Sequence, residues 1–494
     1  MIDNSTNVEI VKKIDFGEID GYGDPKLEQY FLDDNYWGRV VDDKTYFVIG
    51  RKGTGKSSIY RMIAEFGATQ GYIVENKDFG EFPFEKLLKL DDMDFPKPNQ
   101  YQTIWKNIIL NIFAKTISSN ALALDYSNEH FKTIDNYAKT CLGDLVEMHK
   151  EVITKTSKTS GGLTFNGAAL GKECDNQISI SDGSNNISAI NSVLKKEIID
   201  YFKTCSEERK ILLQFDRLDD NYNQYQNLEQ YYQAIISLFK VVYQLNQELR
   251  ADGIINAKVI LYLRSDIIRE LGKKDAESAR WEDFCLEINW SIVNKSDWNN
   301  SMLLKMINKR IEKSNIDSTL SFEKVFDKQK IDLSNMNGKK YDVFKYIVEK
   351  TMHRPRDVIQ FCKYIQQEVI KTNKLYFRTI KDAEKRFGFW LINSELANEI
   401  NPILKNTESL YEMLKRLGKN SFTIDEFFDK HKEFQEIHME SYKLACYLYD
   451  IGVFINIDYN SRPVKLYSSF RNKGRLDRNL KIIIHPGVWS GLNA

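Results

Sequence analysis

The sequence predicts an α/β fold: a five-stranded parallel sheet flanked by helices, then a helical lid and a small C-terminal domain of winged-helix type. Three observations lead there. FVIGRKGTGKSSIYRMIAEFG (47–67) reads as an apolar strand, a glycine-rich turn and a helix. Four more short apolar runs, separated by helical patterns, recur before residue 291. Beyond residue 405, short helices give way to three strand-like runs.

Taken in order, residues 1–43 are polar and aromatic and are expected to pack on the core, with KLEQYFLDD as a short helix. The core is expected over 44–295. Its first strand ends at Gly50 and GYIVEN (71–76) is the second. In YQTIWKNIILNIFAKTI the residues Trp105, Ile108, Ile109, Ile112 and Phe113 share one helical face, and a longer helical pattern covers about 128–155. Composition then turns rich in Ser, Gly and Asn over 155–188, an exposed insertion that is either a tolerated loop or an arm for a partner. The helix SVLKKEIIDYFKTC leads to the third strand, KILLQFD, and its acidic end RLDD. A long helix separates it from KVILYLRSD (258–266), and FCLEINW (284–290) is the candidate fifth strand. Helices dominate 296–400, the expected lid, and 401–494 is the winged-helix-like domain. No repeat of 20–50 residues is present, which excludes a solenoid.

Bulk properties narrow the function. With 494 residues, 42% hydrophobic and 28% charged, the chain suits two or three globular domains. Lys and Arg total 70 against 70 Asp and Glu, which argues against coating nucleic acid by bulk charge but allows a local basic patch. No apolar run has the length of a membrane span, and MIDNSTNVEIVKK lacks the core of a signal peptide, so no membrane association and a cytoplasmic location are expected. The six cysteines are scattered without a C-x-x-C pair, as in a reducing compartment.

The turn carries the chemistry. Gly50, Gly55, Lys56 and Ser57 fit the phosphate-loop spacing G-x-x-x-x-G-K-[ST]. Gly50, Gly53 and Gly55 permit backbone angles that aim successive N–H groups at an anion, with Thr54 and Ser58 in the same cradle. The following helix points its positive dipole end at the same place. Lys56 would reach the β- and γ-phosphates, and the Ser57 hydroxyl would ligate Mg²⁺. Such a loop needs an acid at a neighbouring strand end to hold the metal shell, and ILLQFD supplies Asp216. Asp219 or Asp220 would orient the attacking water; the alternative is an acidic turn capping the next helix. Arg217, not glutamate, follows Asp216, unlike the D-E pair of many ATPases.

Arginines complete the set. Arg264 ends the fourth strand, where it would contact a γ-phosphate or pair with a nearby aspartate. In TMHRPRDVIQFCKYIQQ, Pro355 opens a helix and leaves Arg354 and Arg356 on its first turn. Cations are disfavoured at a helix N-terminus, so an anion is expected nearby, or else a pairing with Asp357 or Glu349.

GRKGTGKS (50–57), DRLDD (216–220), LRSD (263–266) and RPRD (354–357), with IHPGV at 484–488, resemble the motif set of a bacterial AAA+/STAND-type P-loop ATPase family. The resemblance spans about residues 25–490 and implies an ATP-binding, Mg²⁺-dependent ATPase. It makes Gly50–Ser57 a Walker A loop, Asp216 a Walker B acid, Arg264 sensor-1-like and Arg356 sensor-2-like, with Arg354 beside it. STAND-like relatives are nucleotide-driven switches that form homo-oligomers, many in antiphage defence. Neither large sensor repeats nor an effector domain is visible, so the resemblance implies a separate effector or sensor protein. Arg51, Arg280 and Arg310 are candidates for an arginine finger. The choice of adenine over guanine rests on this resemblance. Two other readings stand beside it. One is a DNA-associated loader using the basic stretch 462–481; the other is a nucleotide-binding scaffold that hydrolyses little.

Overall fold

The computed structural model describes residues 4–42, 44–80, 100–142, 183–205, 209–218, 228–274, 276–292, 295–314, 316, 319–326, 342–401, 403–404, 406–418, 420–462, 464–472 and 474–493. In chain order its main elements begin with α1 (Asn4–Lys13), β1 (Phe47–Gly50), α2 (Lys56–Thr69), β2 (Tyr72–Asp78) and α3 (Gln100–Ser119). Next come α4 (Glu129–Tyr137), α5 (Gly183–Thr204), β3 (Lys210–Asp216), α6 (Leu228–Ala251), β4 (Ala257–Arg264), α7 (Ser265–Lys274) and β5 (Cys285–Ile288). The chain divides into two compact units.

One unit, Asp33–Lys52 with Ile59–Ile288, holds a five-stranded sheet in the order β2-β3-β4-β1-β5. Every pair in it is parallel. Parallel neighbours need crossovers, which is why long helices separate these strands in sequence. The central strands β3, β4 and β1 are apolar along most of their length because helices cover both faces. Phe47 stacks on Phe239 of α6 at 4.4 Å, and the fully buried Trp105 of α3 donates its indole N–H to Ala234 O at 2.8 Å. Gln214 is a polar residue inside β3 with no exposed surface, and such a group is costly unless paired. Its amide donates to Asn76 Oδ1 at 2.9 Å and Tyr60 O at 3.2 Å, and its carbonyl accepts from the Tyr262 hydroxyl.

Helix α3 is buried around most of its circumference, not along one face alone. Helix α5 begins at Gly183, within the stretch expected to be part of an exposed insertion; residues 155–182 of that insertion lie outside the described residues. Its polar composition concealed it. Asn191 is buried and joins a ladder in which Asn191 accepts from Asn107, Asn107 from Asn111, and Asn111 from the Tyr137 hydroxyl. The pattern expected to run to residue 155 is helical to Leu142, beyond which the description stops.

The other unit comprises Met1–Leu32, Gly53–Ser58 and Asn289–Ala494. Its helices include α8 (Met302–Lys313), α9 (Pro355–Thr372), α10 (Phe377–Trp390), α11 (Ala397–Ile400), α12 (Thr407–Leu417), α13 (Ile424–Lys432) and α14 (Ser441–Asp450). Strands β6 (Phe454–Asp458), β7 (Lys465–Tyr467) and β8 (Lys481–Ile484) form an antiparallel sheet in the order β7-β6-β8, followed by α15 (Pro486–Leu492). This grouping differs from the boundaries drawn from sequence. One hydrophobic core runs from Val8 through Phe361 to Leu492, so 296–400 and 401–494 share an interior. Residues 4–32 join it: Gln366 of α9 donates to the carbonyls of Val11, in the last turn of α1, and of Ile14, just past its end, at 2.9 and 2.6 Å. Lys363 binds Gly17 O at 2.9 Å. Arg310, an arginine-finger candidate on sequence, is 6% exposed, lies over the Tyr30 ring and donates to Phe16 O at 2.6 Å. That burial removes it from contact with another subunit's nucleotide.

Candidate functional site

The sheet brings three of the sequence-chosen positions to one edge. Asp216, Arg264 and Gly50 are the last residues of β3, β4 and β1, which are consecutive neighbours. Gly50 pairs in register with Arg264. Phe215, Leu261 and Phe47 share one row, so Asp216 ends its strand two rows before that pair. Carboxyl ends of parallel strands are where open α/β sheets bind ligands. Asp216 is 2% exposed, and burial together with its charge pushes the Tyr262 hydroxyl well above its ordinary pKa.

Two features here were not legible beforehand. β2 runs two residues past the expected GYIVEN and ends at Asp78, the register partner of Asp216. Arg217 adopts φ 62°, a left-handed conformation rare for a side-chain-bearing residue, and its guanidinium binds Asp78 Oδ2 at 2.8 Å. A Cβ at Gly80 would stand 3.0 Å from that guanidinium carbon. Arg264 realises the alternative weighed from sequence: it is 7% exposed and grips Asp266 in a two-pronged pair at 3.0 and 2.6 Å. Asp219 and Asp220 lie outside the described residues.

The turn's second half, Gly53–Ser58, belongs with the helical unit. Gly53 and Gly55 take φ 78° and 90°, and Lys56 and Ser57 are the first residues of α2. Thr54 is 4% exposed and its carbonyl accepts from the Trp290 indole at 2.9 Å. Ser58 faces Gly21 so closely that a Cβ there would come within 1.8 Å of the hydroxyl oxygen. The Arg356 N–H points to Gly53 O at 3.4 Å. A Cβ on Gly53 would meet Arg356 Cβ at 3.2 Å and the Cδ atoms of Arg356 and Arg354 at 3.5 Å. The chain thus places the first turn of α9 against Gly53.

The two arginines then diverge. Arg354, the N-cap residue, is 1% exposed and held by Asp357 at 3.0 Å, Glu399 at 3.3 Å and Glu395 at 3.9 Å. Burial opposes its charge, but the three carboxylates around it raise its pKa above the ordinary value. Its role on these contacts is to anchor the helix start. Arg356 is about a quarter exposed and donates to Glu395 Oε1 at 3.2 Å. Glu395 itself sits on a six-residue π-helical turn, Leu391–Leu396, between α10 and α11. Just upstream, His353 has φ 54°; its Nδ1 accepts the Ile292 N–H at 3.0 Å, and Arg471 lies 3.0 Å from its Nε2.

Within the described part of the basic stretch, one side chain leaves the surface. Arg471 is largely buried against His353, and Lys473 lies outside the described residues. Arg462, Lys465, Arg475, Arg478 and Lys481 are exposed. Lys465, Arg478 and Lys481 stand within electrostatic reach of Asp458, Glu440 and Glu426. Among the described residues there is no cluster of three or more His, Cys, Asp or Glu suited to a metal, and no helix is long and apolar enough to cross a membrane.

Comparison with known proteins adds two findings. A family model described as a FunZ-associated C-terminal helical domain matches residues 301–395, a stretch that contains Arg354 and Arg356 and ends at Glu395. The chain is also 24% identical over 515 residues to the "Putative transposon gamma-delta 80.3 kDa protein" of Escherichia coli (strain K12), covering 97% of this chain and 67% of that one.

Proposed function

We propose that the protein is an ATP-binding, Mg²⁺-dependent P-loop ATPase of AAA+/STAND-like type, acting as a nucleotide-driven switch in assembly. The observation that carries the reading is the glycine-rich turn itself. It leaves the carboxyl end of β1 and takes left-handed angles at Gly53 and Gly55. It then delivers Lys56 at the first position of a 14-residue helix. Backbone N–H groups and a helix start of this kind suit an anion, and lysine suits the outer phosphates. The strand order β2-β3-β4-β1-β5, with β1 next to β5 and not β2, supports the same reading because it brings Gly50, Arg264 and Asp216 to adjacent strand ends.

Ser57 and Asp216 would supply the oxygens for Mg²⁺. This ion takes only one or two protein oxygens beside phosphates and water, so a three-carboxylate cage is not required. Bound Mg²⁺ would neutralise charge on the transferring phosphoryl group. Arg356 would sense the terminal phosphate, and Arg264, held by Asp266, would position the strand end. In this reading Arg354 supports the arginine beside it through its carboxylate partners. A homo-oligomer and a separate effector or sensor are part of the proposal. Antiphage defence comes from the resemblance, and a role beside a mobile element from the relative's name. The antiparallel sheet β7-β6-β8 and the helices before it suit a winged helix. Mass photometry without nucleotide, with ADP and with a non-hydrolysable ATP analogue tests the switch. The analogue alone should shift wild type to a larger closed assembly and leave Lys56→Ala unchanged; identical masses throughout refute nucleotide-driven assembly.

A second reading, action on nucleic acid, is favoured by the five basic residues of 462–481 that are exposed among the described residues. The carboxylates beside three of them weaken that field. Salt-dependent duplex DNA binding that Arg475→Ala with Arg478→Ala abolishes supports it; binding insensitive to salt or to those changes removes it.

A further inference from the structure

Among the described residues, Glu395 reaches both arginines of the α9 start: Oε1 lies 3.2 Å from Arg356 and Oε2 3.9 Å from Arg354. It is 5% exposed, so its charge is weakly screened. The backbone that carries it is unusual. Leu391–Leu396 is a π-helical turn inserted between α10 and α11, a local widening that interrupts regular hydrogen bonding and is frequent at functional sites. Arg354 has two further carboxylate partners in Asp357 and Glu399, whereas the ion pair recorded for Arg356 is with Glu395. Arg356 in turn lies over Gly53, and its Nε, buried, has no hydrogen-bond partner. The guanidinium is therefore tethered on one side and incompletely bonded on the other, beside the turn.

We propose that Glu395 is a built-in competitor of the nucleotide's terminal phosphate: it holds Arg356 when that phosphate is absent and yields it when a triphosphate binds. This rests on the P-loop reading above and deepens it by naming what regulates the site. The exchange is one anionic partner for another at the same guanidinium, with no bond made or broken. It makes triphosphate binding pay for separating a partly buried ion pair, while a diphosphate, which does not reach Arg356, leaves the pair intact. Glu395 is a positioning residue in this scheme. Glu399, which contacts Arg354, has no part in the exchange.

The test is equilibrium binding of a non-hydrolysable ATP analogue and of ADP to full-length wild type, Glu395→Gln, Glu395→Asp and Glu399→Gln. Glu395→Gln should tighten the analogue about tenfold and leave ADP within about twofold. Glu395→Asp, which keeps the buried charge for Arg354 but draws the carboxylate back, should move in the same direction by less and covers the case in which the amide variant does not fold. Glu399→Gln should leave the analogue-to-ADP ratio unchanged. In an Arg356→Ala background the gain should vanish. A purely structural Glu395 would shift both nucleotides together, and that result, or an unchanged ratio in folded variants, overturns the proposal. If wild type binds neither nucleotide, the P-loop reading itself fails, which is a different and separately visible outcome.

Discussion

Gly53 and Gly55 offer a matched pair of perturbations. Both have positive φ, 78° and 90°, so alanine at either carries the same left-handed backbone penalty, about 1 kcal/mol after the stiffer unfolded chain offsets part of it. They differ in surroundings. Nothing lies within 4 Å of a Cβ built at Gly55, whereas one at Gly53 meets Arg356 Cβ at 3.2 Å and two arginine Cδ atoms at 3.5 Å. Arg356 Cβ is fixed by the first turn of α9 and cannot swing aside, so overpacking adds about 1–2 kcal/mol. Gly53→Ala should therefore cost about 2–3 kcal/mol and Gly55→Ala about 1 kcal/mol. Urea unfolding of both variants against wild type, compared at a common slope, reads the difference. If Gly53→Ala proves no less stable than Gly55→Ala, the packing of the turn against α9 is not as described.

Two other predictions test separate parts of the chain. Asp125 is 6% exposed and accepts hydrogen bonds from the Leu122 N–H, the Tyr201 hydroxyl and Arg209, itself 5% exposed. Removing the carboxylate strands a buried guanidinium, so Asp125→Ala should cost about 3–5 kcal/mol in the sheet unit by thermal or urea unfolding; a loss below about 1 kcal/mol contradicts the burial. His485 is fully buried, accepts the Gly487 N–H at Nδ1 and faces Thr351 O with Nε2; burial, then the charges of Arg471 and Lys350, bring its pKa down from 6.5 to about 3. The folded value lies below the unfolded one, so its contribution is complete above pH 6.5 and is lost as pH falls toward 3. At pH 5 the loss is about 2 kcal/mol, and the difference in stability between wild type and His485→Asn should shrink by that amount between pH 7 and pH 5. A pH-independent difference refutes it.

The elements that sequence made legible are those where one local pattern decides the outcome. The apolar runs ILLQFD and VILYLR could only be buried strands, and the spacing of Gly50, Gly53, Gly55 and Lys56 anticipated the turn and helix start that the chain forms. Pro355 at the first helical position marked the start of α9. What stayed hidden depended on partners far along the chain. The polar start of α5 gave no apolar signal because Asn191 contributes to the interior through hydrogen bonds. The N-terminal 32 residues looked like an appendage of the sheet because the carbonyls that Gln366 satisfies carry no sequence mark. Glu395 lies in WLINSELANEI, which reads as ordinary helix; only the π-helical turn and the pairing with Arg356 single it out. Arg471 counted as surface charge from composition and is instead largely buried against His353.

The central claim is that Gly50–Ser57 grips the phosphates of a nucleotide. Isothermal titration of Mg²⁺ with an ATP analogue into wild type and Lys56→Ala, with circular dichroism to establish that both are folded, tests it most directly. Saturable one-to-one binding to wild type is expected, with at least about a tenfold loss on removing the lysine and its charge-assisted contact. No binding to wild type, or equal affinity in the variant, contradicts it.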